Sequence, residues 1–418
     1  METKSRVDIL SLLLFICIAA IGVASVYSAT SEQGTYTLFE GRSGKQMMWL
    51  GLSVFFGLVI FIINAKFFEH FAWVFYIFFT LLLVAVLFIG ADINGARSWI
   101  KIGSYSLQPS EFAKYGAAFA VSAFLSKIDF SFDKISDIVK LGLIILIPAA
   151  LIILQGDTGS ALVFSSFILV FYREGITPLI IVLGIVTVFV FVLTLVVGSI
   201  YFSLGTAALL LVFYAFTYTN KKLLLPSIAV AVFIVLMSLS VQFLFDNVLQ
   251  PHQRKRIEVT LNLIEDNKGA GYNVNQSKIA IGSGGYSGKG FLNGSHTKGN
   301  FIPEQETDFI FCTIGEEGGW ILSSITILLF LAFILRLYYL AERAKRKFKR
   351  VFIYSLASII FFHLMVNAGM TIGLMPVIGI PLPLISYGGS SILAFSIFIF
   401  TALKLDASRH QDLKSAYS

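Results

Sequence analysis

Twelve apolar runs leave this chain almost nowhere to fold but a bilayer. They lie near residues 8–29, 46–64, 70–90, 109–125, 138–154, 158–172, 178–198, 201–218, 223–246, 308–338, 351–373 and 384–404. A peptide group in hydrocarbon finds no water, so each run must satisfy its own backbone, and separated runs of about 20 residues do so as helices. The predicted fold class is therefore an all-α polytopic membrane protein of about twelve transmembrane helices. Composition agrees: 57% of the 418 residues are hydrophobic and 13% charged, where a soluble domain carries roughly a quarter charged.

The formal charge of +7 does not point to nucleic acid, because the basic residues sit in short connections where they orient helices. With the N-terminus (Lys4, Arg6) inside, the inward connections carry Lys66, Lys127, Lys134, Arg173, Lys221 and Lys222. The segment AERAKRKFKR at 341–350 adds six more basic residues. The outward connections hold mainly Arg42, Lys45, Arg97 and Lys101. Both termini are then cytoplasmic, and a polar segment at 247–307 faces outward as one large loop. Cys17 and Cys312 fall inside apolar runs, so neither a disulfide framework nor a zinc site is indicated. The first run is long for a signal peptide, and Tyr27 stands where cleavage wants a small residue, so it reads as a retained helix.

The outward segment concentrates the candidate chemistry. Gly282, Gly284, Gly285, Gly288 and Gly290 surround Lys289. Exposed backbone amides beside a lysine can cradle phosphate, although the spacing is not that of a Walker A loop, and a flexible turn-rich loop explains the glycines equally well. Glu304, Glu306, Thr307 and Asp308 precede a new apolar run. Asp308 reads either as part of an N-terminal cap or as a general base at the outer membrane face, and periodicity does not decide between them. Glu316 and Glu317 follow two turns deeper, where a pair of acids favours a protein interior over lipid.

Upstream, Arg97, Trp99 and Lys101 sit in an outward connection, followed by Gln108, Pro109, Ser110, Glu111 and Lys114. Pro109 and Ser110 suit a helix start, and Glu111 with Lys114 is an i,i+3 pair. A lysine well into a span favours a functional wall for an anionic, sugar-bearing head group. Gln155, Asp157 and Gly159 break two apolar runs, as a tight turn would. His363 and Asn367 stand one turn apart in a span and read as interhelical hydrogen-bonding groups.

Taken in order, VYSAT, GARSWI, QPSEFAK, QGDTGSA, GYNVNQSKIAIGSGGYSGKGF, FIPEQETDFIFCTIGEEGG and GLMPVIGIPLPLISYGGSS resemble the SEDS family (shape, elongation, division and sporulation). The elongation-type members are closer than the division-type ones. The resemblance implies one integral membrane domain over 1–418 and a ten-helix plan, so that two helices between about 174 and 246 are extra. It implies an inverting peptidoglycan glycosyltransferase that polymerises lipid II at the outer face of the cytoplasmic membrane. Asp308 is then the catalytic residue, and Arg97, Trp99, Glu111, Lys114, Asp157, Ser277, Lys278, Lys289 and Glu306 are substrate-binding candidates. The implied partners are a class B penicillin-binding protein and other membrane proteins of the elongation complex. No resident metal site is expected; a divalent cation, magnesium or manganese, is the one candidate cofactor. A flippase for the lipid-linked precursor, a non-catalytic scaffold and a division-type role are the alternatives.

Overall fold

The computed structural model describes residues 7–31, 38–39, 41–93, 96–103, 105–217, 221–247, 251–261, 263–264, 269–299 and 301–409. Lys4, Arg6 and Gly95 lie outside the described residues. The chain runs through α1 (Ile9–Thr30), α2 (Gly41–Ile62), a short α3 (Ala65–His70) and α4 (Ala72–Ile89). Strands β1 (Ala91–Ile93), β2 (Ala96–Ile102) and β3 (Tyr105–Leu107) follow. Next come α5 (Pro109–Leu125), α6 (Ile135–Leu154), α7 (Thr158–Leu162), a 3-10 turn (Val163–Ser166) and α8 (Phe167–Arg173). After these come α9 (Pro178–Val197), α10 (Ser199–Thr217), α11 (Lys221–Asn247), α12 (Pro251–Thr260), α13 (Ala270–Gly284) and α14 (Ser295–Lys298). The chain closes with α15 (Ile310–Glu342), α16 (Lys347–Thr371) and α17 (Gly389–Ala407).

Eight of these helices are long and apolar enough to cross a membrane. The α7–α8 run, apolar stretches of α10 and α11, and α5 supply the remaining spans, so each of the twelve apolar runs has its helix. The least apolar of them has a clear physical reason to be tolerated. In α5 every residue except Ala123 is buried, because α4, α16 and α17 pack around it. A helix sheathed by protein never meets lipid, so Glu111 and Lys114 can lie on it.

The chain forms two compact units, Met1–Gly175 with Asn273–Ser418, and Ile176–Tyr272. In the first, α15 packs on α16 and α1, and α17 on α2. Its core is aromatic around Phe119, whose ring lies 4.6 Å from Tyr115 and 4.7 Å from Phe352. One end of this unit is tied by ion pairs: Arg336 to Asp8, Arg343 to Asp406 at 2.5 Å, Arg346 to Glu69 at 3.0 Å and Arg350 to Glu174 at 2.8 Å. In the second unit α11 packs on α9 and α10, and Thr194 donates to Ser238 at 3.2 Å. The segment expected to hold two helices beyond a ten-helix plan folds within this unit.

Two expectations change here. The 247–307 segment, expected as one large loop, carries α12, α13 and α14. The connection bearing Arg97 and Trp99 is an antiparallel three-stranded sheet of order β1-β2-β3, with Ala91 opposite Trp99 and Ile100 opposite Leu107.

Candidate active site

Asp308 lies in the turn just before α15, half-buried. The N-cap of α15 is Phe309, with no side-chain cap bond, so the reading of Thr307 and Asp308 as the helix cap does not hold. What fixes this turn is a row of three consecutive carbonyls. Glu306 O accepts from Tyr387 N at 2.8 Å, Thr307 O from Ser386 Oγ at 2.6 Å and Asp308 O from Asn367 Nδ2 at 2.8 Å. The Asp308 carboxylate lies against Gly379, where a Cβ would stand 3.2 Å from Oδ2. Gly379 has φ +76°, a conformation that glycine adopts without steric cost. Glu306 is ion-paired to Arg42, and the Arg42 guanidinium lies 5.9 Å from the Tyr387 ring centroid.

Beneath this rim is a buried polar row. Lys114 Nζ donates to Glu111 Oε1 at 2.8 Å and lies 3.1 Å from His363 Nε2. His363 Nδ1 is 2.8 Å from the Pro381 carbonyl oxygen. A carbonyl only accepts, so Nδ1 carries the proton and Nε2 accepts from the ammonium. The third face of that ammonium looks toward Phe395, 5.2 Å from the ring centroid, a cation–π arrangement. His363 and Asn367 therefore both hold the non-helical 380–381 backbone, and the interhelical contact expected of the pair is the one His363 makes with Lys114 of α5.

Arg97 is exposed and Trp99 half-buried on β2. The sheet is tied to the 155–157 turn by Arg97 N donating to Gln155 O at 2.9 Å. Asp157 caps α7, accepting from Ser160 N at 3.0 Å, and accepts from Gln108 Nε2 at 2.9 Å. Gly159 packs directly on the Ile378 carbonyl, which joins this turn to the segment carrying Gly379. Arg97, Trp99, Gln108, Asp157 and Asp308 are thereby mounted on connected backbone at one end of the first unit. Ser277 is buried and donates to Thr371 O at 2.9 Å. Lys278, exposed on α13, lays its side chain over Gly373.

The glycine-rich stretch is not an open phosphate cradle. Gly282 and Gly284 belong to α13, and Gly284 meets Gly315 of α15 so closely that any side chain would overlap its carbonyl. The amides beyond are already engaged, Lys289 N with Glu316 O and Gly290 N with Glu317 O, each at 3.0 Å. These bonds exist because α15 breaks at Gly319 (φ 62°, ψ −161°), which frees carbonyls for the incoming segment. The anion this segment holds is the protein's own. Glu316 accepts from Lys289 Nζ at 2.7 Å, His296 N at 2.9 Å, Thr297 N at 2.8 Å and Thr297 Oγ1 at 2.7 Å. Glu317 accepts from Ser28 Oγ at 2.5 Å. The deeper acids thus face protein, as their depth predicts. Beside Glu317 lies a largely apolar cavity of about 460 Å³, walled by Ala20, Ala24, Phe291, Ile314 and Leu322 among others.

Sequence reasoning missed Arg42, read only as an orienting charge, and Ser386, which lies in the C-terminal motif but was assigned no role. Neither carries a signal by itself, because each becomes informative only through its partner in the 306–308 turn. Among the described residues no group of three His, Cys, Asp or Glu side chains is arranged to hold a metal.

The chain matches the family model of FtsW/RodA/SpoVE cell-cycle proteins over residues 7–203 and 183–411, and it belongs to that family. It is 31% identical over 395 residues to the peptidoglycan glycosyltransferase MrdB of Escherichia coli K12, covering 93% of this chain and 90% of that protein. With the peptidoglycan glycosyltransferase RodA of Treponema pallidum it shares 30% identity over 430 residues, 97% of this chain and 98% of the relative. Among solved structures, one chain of a peptidoglycan synthase complex superposes with a TM-score of 0.71 at 26% identity, covering 97% of this chain and 99% of that one. The Thermus thermophilus rod-shape-determining protein RodA gives a TM-score of 0.63 at 24% identity with the same coverage, and so supports the fold.

Proposed function

We propose that this chain is a peptidoglycan glycosyltransferase of the elongation type that polymerises lipid II into glycan strands. The observation that carries the mechanism is Asp308: a half-buried carboxylate on a turn whose flanking carbonyls are all fixed. An oriented acid of this kind suits a general base. Asp308 takes the proton from the 4-hydroxyl of the acceptor sugar as that oxygen bonds to the anomeric carbon of the donor. The bond from that carbon to the pyrophosphate breaks, and the lipid pyrophosphate leaves with the electron pair. An α-linked donor giving a β-linked product is an inversion, so one carboxylate suffices and no covalent intermediate is needed.

The leaving pyrophosphate gathers negative charge, which positioned cations stabilise. Lys114 and Lys289 are committed to Glu111 and Glu316, so of the expected cations Arg97 and Lys278, both exposed, take this role. Were a divalent cation to bind, Asp308 is the carboxylate at the rim that would hold it, and the ion would supply charge neutralisation to the substrate's phosphates. The apolar cavity beside Glu317 receives part of the polyprenyl chain. The site faces outward and both termini inward, an orientation supported by the basic cluster at the opposite end of the first unit. The partner is a class B penicillin-binding protein that cross-links the new strand.

Polymerisation of labelled lipid II by the purified chain, with and without such a partner and with magnesium or manganese supplied, tests this reading. Glycan ladders from the wild type and none from Asp308→Ala or Asp308→Asn are expected. Full activity in Asp308→Asn would refute the base assignment. An inactive wild type under every condition would instead favour precursor transport or scaffolding.

A further inference from the structure

The three carbonyls at 306–308 are held by the segment 367–387, and two of the three bonds come from side chains. Asn367 Nδ2 donates both to Asp308 O and to Ile380 O, each at 2.8 Å. Two carbonyl acceptors demand both hydrogens of an amide, so the carboxamide has a single satisfactory orientation. Ser386 Oγ donates to Thr307 O at 2.6 Å and accepts from Leu382 N at 2.8 Å. Each side chain therefore bridges the acid-bearing turn to the backbone that flanks Gly379, on which the Asp308 carboxylate rests. Asn367 is fully buried and Ser386 nearly so, so water cannot substitute for either bond without repacking.

We propose that Asn367 and Ser386 are positioning residues for the polymerase reaction: they do not touch substrate, but together they set where the Asp308 carboxylate stands relative to the acceptor hydroxyl. The proposal rests on the base reading of Asp308. If the bridges only held the fold, their loss would lower stability and leave turnover per folded molecule intact. If they aim the base, their loss acts on the step in which Asp308 takes part, where a misplacement of about 1 Å can cost on the order of a hundredfold.

The test is steady-state polymerisation of labelled lipid II by Ser386→Ala, Ser386→Thr, Asn367→Leu and Asp308→Asn, each purified by size exclusion and corrected for folded fraction. Ser386→Ala and Asn367→Leu are expected to lose about 10- to 100-fold in kcat with KM within about threefold. Ser386→Thr, which keeps the bridging hydroxyl, is expected to recover most of that loss. Unchanged kcat in the folded Ala variant would overturn the proposal, as would a Thr variant no better than Ala. Should Asn367→Leu fail to fold, the Ser386 pair decides alone. An inactive Asp308→Asn beside a fully active Ser386→Ala and Asn367→Leu would refute only the positioning. An active Asp308→Asn would instead refute the base reading on which it stands.

Discussion

Lys289 separates two accounts of the glycine-rich segment. As a pyrophosphate contact it should matter for substrate alone. The structure instead places its ammonium 2.7 Å from Glu316, a carboxylate with no exposed surface, while the lysine itself keeps 27% exposure. Removing one partner of a fully buried pair costs about 3–5 kcal/mol, because a charge is left without its counter-charge. Two features reduce that figure here. The pair is open to solvent on the lysine side, and Glu316 keeps donors from Thr297 N, Thr297 Oγ1 and His296 N at 2.7–2.9 Å. What is lost is mainly one charge-assisted hydrogen bond, so Lys289→Met should destabilise by about 2 kcal/mol. In a chain of this size that corresponds to a melting shift of about 2–4 °C in detergent. Adding Glu316→Gln removes the stranded charge, and the double variant should recover about 1 kcal/mol relative to the sum of the singles. Thermal unfolding of the four proteins completes the cycle. Lys289→Met with an unshifted melting point, no coupling to Glu316 and a raised KM for lipid II would refute this reasoning and return the lysine to the substrate.

Three further outcomes follow from single sites. Gly379→Ala must force a side chain into a φ of +76° and toward Asp308 Oδ2; a cost of about 1–2 kcal/mol from the backbone alone is expected, with a loss of polymerase activity beyond what a thermal melt accounts for. Asp157→Ala removes the α7 cap and should cost about 1 kcal/mol, whereas Asp157→Asn should retain most of it, both read by melting in detergent. Burial at the start of α1 pushes the Asp8 carboxyl up, but hydrogen bonds from Arg336 and Ser11 outweigh it and hold Asp8 at about 2, below the ordinary 3.8. A lowered folded-state value means the contribution is complete above about pH 4 and fades as pH falls toward 2. The wild type should lose thermal stability across that window, and Asp8→Asn should show a flatter profile.

The spans were legible because apolar runs of spanning length have one backbone solution in hydrocarbon. The acids at 316 and 317 were legible as interior groups for the same reason, since lipid would reject them; Glu111 and Lys114, expected to wall a head-group site, are instead buried and paired with each other. Three further things were not legible. Helix α13 contains Gly271, Gly282 and Gly284, poor helix formers by themselves; its reason to exist is the close seat of Gly284 on α15, a tertiary fact. The sheet was hidden by its shortness, although Asn94 and Gly95 between β1 and β2 form a strong short-range hairpin signal. The turn before α15 resembled a cap because Thr and Asp are ordinary cap residues. The hydrogen bonds that make it something else come from residues 59 and 79 positions away in sequence, Asn367 and Ser386.

That last point bears on how the chain keeps chemistry apart from architecture. Two buried carboxylates at this end of the first unit are compensated locally by cations, Glu111 by Lys114 and Glu316 by Lys289. A compensated buried pair is a poor catalyst, because drawing either charge toward substrate strands the other in low dielectric. Asp308 differs in kind. It is half-buried rather than sealed, and the carbonyls of its turn are each held from the 367–387 segment. Rigid backbone beneath a partly exposed acid holds that acid in one place at a surface that substrate can reach. On this reasoning the rim residues Arg97 and Lys278 should govern affinity for the pyrophosphate, so that Arg97→Ala and Lys278→Ala raise KM. Lys114→Ala, by contrast, should impair folding before it impairs binding.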